Sequence, residues 1–220
     1  MSDAELRYPA LDRFYQQFLN DECSADFIQS VARTYHLATL ERLARFGSRV
    51  SRRGAVLAIG YLGDFRNNEV MGSALSDSDR AVRMLADHGI RQVWQRQGTE
   101  AEQQTIQRVY RLVDQARMDD VIDETTLLIR RNPDLGEAWS QRAIAFCEEG
   151  DFEAAVYDCR EALNCNRYHF PAAIGLAHCC LQLDEPSGAL AGFRLALNIN
   201  PELDGVRQQV RKLERLLENN

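Results

Sequence analysis

The sequence predicts an all-α protein, and three observations carry that prediction. Residues 10–132 contain no proline, and all 220 residues include only 5 prolines and 13 glycines, too few turn-formers for a sheet reversing about every ten residues. Apolar residues recur at helical spacing through several segments, leaving charged faces opposite. Finally, each half of the chain repeats itself at a fixed interval, the mark of stacked helical hairpins. With 45% hydrophobic and 27% charged residues, the chain can build one or two domains with a real core.

Taken in order, "LDRFYQQFLN" and "SADFIQSVARTY" form a leading helix pair. "SRRGAVLAIGYLGD" at 51–64 and "DRAVRMLADHGIRQVW" at 79–94 are amphipathic helices that superpose with an offset of 30 residues, matching Arg53 with Arg83, Leu40 with Val70 and Ala44 with Ala74. Between them "NNEVMGSALSDSD" is a short apolar helix ending in a Ser/Asp cluster suited to capping the next helix. The pattern of Leu75, Asp77, Val82 and Arg83 resembles the short HEAT repeat over residues 36–95. That resemblance implies that Arg53, like Arg83, ties neighbouring repeats through the Asp77 type of carboxylate. Apolar periodicity lapses in "RQGTEAEQQ" near Gly98, so domains are expected at 1–98 and 99–220.

Pro133 and Pro201 lie 68 residues apart, twice 34, in "RRNPDL" and "NINPEL". Writing 102–135, 136–169 and 170–203 as three rows aligns Val109, Ala143 and Ala177, then Ile122, Ala155 and Ala189, then Ile129, Ala162 and Ala196. Small residues at such positions let antiparallel helices approach, and Gly150 suits a tight turn. The middle row resembles the tetratricopeptide repeat (TPR) at Trp139, Ala143, Phe146, Gly150, Phe152, Ala155, Ala162 and Leu163. It departs at Arg167, where proline is usual, and the first row carries branched residues where small ones are usual. Residues 206–217, with Val206, Val210, Leu213 and Leu217 on one stripe, suit a capping helix for the end of the TPR-like segment spanning 102–217. The expected architecture is an α-solenoid, HEAT-like hairpins leading into a TPR-like superhelix.

Chemistry leaves no fingerprint in the chain. There is no glycine-rich phosphate loop, no H-E-x-x-H, no G-x-S-x-G and no paired-cysteine zinc framework, so the expectation is a non-enzyme without cofactor or metal. Cys159, Cys165, His169, His178, Cys179 and Cys180 crowd into about twenty residues, as soft ligands do. Their repeat positions favour packing instead: Cys159 takes the slot of Phe193 and Cys180 that of Phe146, where a thiol serves as a small hydrophobe. All six cysteines read as reduced thiols. No run approaches the roughly 20 apolar residues of a membrane span, and a cytoplasmic protein is expected.

The TPR resemblance implies a concave face built from the first helix of each repeat. Carried onto this chain, that face holds an apolar strip of Ile106, Tyr110, Val113, Ile144, Cys147, Ile174 and Leu181, with His178 on it and Asp114, Glu137 and Glu148 at its edges. Chaperone-binding members of the family clamp a C-terminal carboxylate with Lys, Asn and Arg, and none of those types stands at the corresponding positions here. The strip suits instead an apolar segment with some basic residues, its competitors being internal cover and self-association.

Charge divides near the same boundary. Residues 1–98 carry 13 Arg against 12 Asp plus Glu, and residues 99–220 carry 13 basic against 21 acidic residues. Arg42, Arg45, Arg49 and Arg52 form a candidate anion-binding ridge with Arg53 beside it, although the overall charge of −7 argues against a dedicated nucleic-acid binder. The sequence therefore points to a scaffold or adaptor that binds a protein or peptide. Nucleic-acid binding through the arginine ridge is the second reading. A third, through the HEAT-like half, is a lyase or chaperone-like activity on a protein substrate.

Overall fold

A computed structural model of the chain describes residues 9–218. Among the described residues are thirteen α-helices and one 3-10 turn, with no strand, in accord with the all-α expectation. The chain divides into two compact units, one ending at Trp94 and the other beginning at Gln95.

The first unit contains α1 (Ala10–Asp21), α2 (Ser24–Thr34), α3 (Leu37–Phe46), α4 (Arg49–Leu62), a 3-10 turn at Phe65–Asn67, α5 (Asn68–Ala74) and α6 (Arg80–Gln95). Helix α1 buries Leu11 and Tyr15, and its Asp12 accepts hydrogen bonds from Ser51 at 2.6 Å and Ser48 at 3.4 Å, tying it to the start of α4. The Ser48 hydroxyl also caps α4 by accepting from the Ser51 N–H. Helices α4 and α6 cross at two glycines: a Cβ on Gly60 would lie 3.0 Å from the Gly89 Cα, so any side chain there forces the backbones apart.

Two arginines of α4 fork onto the loop before α6. Arg52 donates to both carboxylate oxygens of Asp77 at 2.8 and 2.9 Å, and Arg53 donates to both of Asp79 at 2.7 Å. The expected pairing of Arg53 with Asp77 is thus shifted by one: Arg52 takes Asp77, because Asp79 turns inward to cap α6 through the Val82 N–H and meets Arg53 there. The Arg53 hydrogen bonds hold the Asp79 carboxyl down at about 2.

The second unit repeats a helical hairpin three times: α7 (Glu100–Asp114) with α8 (Met118–Arg131), α9 (Gly136–Glu148) with α10 (Phe152–Cys165), and α11 (Phe170–Gln182) with α12 (Pro186–Ile199). Helix α13 (Asp204–Glu218) lays Val206, Val210 and Leu213 against α12. Ala143, Ala155, Ala162, Ala177, Ala189 and Ala196 are all buried where helices meet.

Two further positions recur every 34 residues. Asn132, Asn166 and Asn200 end α8, α10 and α12, and each side-chain oxygen accepts the backbone N–H two residues on, at 3.1 to 3.3 Å. Ala116, Gly150 and Asp184 take left-handed φ values of 54, 82 and 55° in the turn inside each hairpin; only the middle one is the residue that adopts this conformation freely.

Within the middle hairpin, Arg142 lies between the rings of Trp139 and Phe146, 5.0 and 5.6 Å from their centroids. It donates to both oxygens of the buried Asp158 at 2.7 and 2.9 Å and to Thr126 at 3.0 Å, linking α9 to α10 and α8. The aromatic spacing that marks the repeat in the sequence thus houses a cation paired to a buried carboxylate.

Candidate functional site

A cavity of about 270 Å³ opens between α9 and α11, with Cys159 of α10 contributing to its wall. Ser140, Ala143, Ile144, Cys147 and Glu148 line it from α9, and Pro171, Ala172, Gly175, His178 and Cys179 from α11. Side-chain volume explains why it opens there. Ser140, Ala143 and Cys147 stand one repeat after Ile106, Val109 and Val113, so at these three positions α9 presents a small residue where α7 presents a branched one, and Gly175 adds no bulk from across the seam.

The structure separates the groove positions expected from the sequence. Ile144, Cys147, Glu148 and His178 line the cavity. Ile144 is 39% exposed, a large apolar side chain at the rim, and His178 meets Phe193 edge-on at 5.1 Å. Ile174 and Leu181 are half-buried outside the lining. Ile106 leaves the expected groove altogether: at 3% exposure it belongs to the core with Leu128, Leu135 and Trp139. Val113 packs partly buried against Val109, Leu112 and Val121. Sequence reasoning undervalued Ser140, Ala172 and Gly175, whose smallness is the signal that locates the cavity.

Tyr110 and Glu137 do something other than edge a groove. The Glu137 carboxylate is buried; its Oε1 accepts from the Tyr110 hydroxyl at 2.5 Å and from Gln141 at 2.9 Å, while its Oε2 lies 3.2 Å from His169 Nε2. His169 Nδ1 accepts the Ala172 N–H at 3.1 Å as the cap of α11, which places the imidazole proton on Nε2, directed at Glu137. Burial pushes the Glu137 carboxyl up, but hydrogen bonds from His169, Tyr110 and Gln141 outweigh it and hold the group below the ordinary carboxylate range. One carboxylate thereby links α7, α9 and the start of α11.

Burial pushes the Cys159 and Cys179 thiols well up, and the Cys180 thiol upward as well. All six cysteines are free. Among the described residues no group of three His, Cys, Asp or Glu side chains is placed to hold a metal ion, and no described helix is long and apolar enough to cross a membrane.

Of the candidate anion-binding residues, Arg52 is engaged by Asp77 as described, which takes its fork out of the ridge. Arg42, Arg45 and Arg49 are exposed, and so is Phe46 between them in sequence, at 82%. An aromatic ring left this open in the same stretch of sequence as three exposed arginines is a feature that counting charges misses.

No family model matches the chain, and no curated protein matches it. Solved structures do. The first TPR domain of Spaghetti (RPAP3), bound to the HSP90 peptide SRMEEVD, matches at a TM-score of 0.52 and 20% identity over 55% of this chain and 96% of that one. The TPR2B domain of yeast Sti1 in its pHsp70 complex matches at 0.49 and 18%, over 54% and 99%. The TPR2AB domain of yeast Sti1 in its pHSP90 complex matches at 0.49 and 15%, over 93% and 97%. The first of these likenesses shows the fold, a TPR-like all-α helical repeat.

Proposed function

We propose that this chain is a protein-interaction adaptor without chemistry of its own, which holds an extended or amphipathic segment of a partner in the groove between α9 and α11. The carrying observation is the 270 Å³ cavity, lined by small, apolar and thiol side chains with Glu148 at its edge and no Lys or Arg in the lining. Apolar side chains of the segment fill the cavity, and its basic residues meet Glu148. A solved structure that shares the fold is bound to a peptide, which supports a peptide ligand here. That peptide is acidic, and with no cation in this groove its carboxylates go unanswered, so the ligand of this chain is apolar and basic. We take residues 36–95 as HEAT-like hairpins and the chain as cytoplasmic, with self-association as the competing use of the same groove. Affinity capture from native lysate tests the adaptor reading: Ile144→Arg should lose the partner while far-UV circular dichroism stays unchanged, and equal capture by both proteins moves binding elsewhere.

A second reading rests on Phe46. Its exposed ring and the exposed Arg42, Arg45 and Arg49 fall within eight residues of chain, a stretch that offers both a stacking surface and phosphate-binding cations. Retention on single-stranded nucleic acid that falls with salt, and that Phe46→Ala together with Arg45→Glu removes, supports it; retention unchanged by those substitutions overturns it.

A further inference from the structure

Two thiols face one another in the wall of the groove. Cys147 lies in the last turn of α9 and Cys179 in the last turn of α11. Both line the same cavity, and they are close enough for one to hydrogen-bond the other. Cys147 is partly exposed while Cys179 is buried, so reagents from solvent reach the first and not the second.

Cys159 also lines this cavity, as a buried thiol on α10; the other three thiols lie elsewhere. Cys180, about 100° further round α11, faces α12, where a Cβ on Gly188 would lie 3.1 Å from its sulfur. Cys165 donates to the Pro133 carbonyl at 3.3 Å. Cys159 is buried in α10, its sulfur 3.2 Å from where a Cβ on Gly175 would stand. Cys23 belongs to the first unit.

We propose that Cys147 and Cys179 are an oxidation site, a dithiol that a hydroperoxide converts to a disulfide strapping α9 to α11 across the groove. Cys147 loses its proton to solvent, and its sulfur attacks one peroxide oxygen. The O–O bond breaks, the departing oxygen takes up a proton and leaves as water, and Cys147 becomes a sulfenic acid. The Cys179 sulfur then attacks the Cys147 sulfur; the S–O bond breaks, and the hydroxyl leaves with the Cys179 proton as a second water. Two thiols have given up two electrons and hydrogen peroxide has accepted them. Burial shields Cys179 from solvent and pushes its thiol up, so the peroxide meets Cys147 first, and its place beside Cys147 in the cavity wall is what fits Cys179 to the second step. The reaction needs no peptide, so it stands or falls apart from the adaptor reading.

The test treats the purified full chain with hydrogen peroxide in slight excess and follows intact mass, the non-reducing peptide map and the melting temperature. The expected result is a monomer lighter by two hydrogens, with a peptide pair joining Cys147 to Cys179, a melting temperature raised by several degrees and reversal by dithiothreitol. Cys179→Ser should stop at a Cys147 sulfenic acid that dimedone labels. Phenylarsine oxide, which bridges two adjacent thiols with release of water, should add once to the unsubstituted reduced chain as it breathes, and alkylation carried out afterwards in denaturant should miss Cys147 and Cys179 alone. A linkage through any other cysteine, oxidation of Cys147 without linkage, or arsenical capture that spares these two overturns the proposal.

Discussion

The α7–α9 seam and the α9–α11 seam are built from the same repeat positions and end in opposite states. In the first, Ile106, Val109 and Val113 project from α7 and the Tyr110 hydroxyl is fixed on the buried Glu137. In the second, Ser140, Ala143 and Cys147 occupy the matching positions and the seam stands open over about 270 Å³. The backbone scaffold is common to both, so the groove is a consequence of three side-chain volumes and of Gly175 opposite them. Repeat architecture supplies a place where a groove can form, and local residue size decides whether it does.

Converting one seam into the other is the strongest way to break that comparison. Ile106→Ser imposes the second seam's residue on the first and should cost about 4 kcal/mol, because it removes core contacts and leaves a hydroxyl without a place among apolar neighbours; urea denaturation reads the loss. Glu137→Ala should cost about 3 kcal/mol, since it strands the Tyr110, Gln141 and His169 donors in a buried site.

The same carboxylate makes stability pH-dependent. Its value in the folded chain lies below the ordinary 4.5, so its stabilisation is complete above about pH 4.5 and is lost as the pH falls through the folded-state value. Asp79, held at about 2, loses its share between about pH 4 and pH 2. Unfolding midpoints measured from pH 6 to pH 2 should fall through this window, less steeply in Glu137→Gln. A midpoint that rises with acid contradicts both assignments.

The reverse conversion should be almost silent in stability. Ser140→Ile gives α9 the residue that α7 carries and fills space already present, so the unfolding free energy should change by less than about 1 kcal/mol, while peptide affinity falls roughly tenfold or more. The smallest effects belong to the hairpin turns. Ala116→Gly and Asp184→Gly should each stabilise by about 0.5–1 kcal/mol by relieving left-handed backbone, and Gly150→Ala should destabilise by a similar amount.

Much of the fold was legible in the sequence, because helical periodicity and the 34-residue spacing are local properties. Asn132, Asn166 and Asn200 sharpen that reading: they share the spacing of Pro133 and Pro201 and hold even where Arg167 replaces the proline, because the Asn side chain closes the turn by itself. The groove was legible only in part. A rule that assigns inner-face positions places Ile106 beside Ile144, yet one is core and the other rim, a difference set by neighbours from α8 and α9 that no linear pattern contains. Glu137 looked like a solvated edge charge because its partners Tyr110 and His169 stand 27 and 32 residues away. The one-residue shift of the Arg52 and Arg53 forks follows from Asp79 turning to cap α6, a loop geometry the sequence does not display.

Selection of random peptides on the unsubstituted chain, followed by affinity measurement against Ser140→Ile, tests most directly whether the open seam is the binding site. The account predicts that the selected peptides combine apolar with Arg or Lys residues and bind Ser140→Ile at least about ten times more weakly, at equal protein stability. Peptides that carry acidic C-termini, or that bind both proteins equally well, would contradict it.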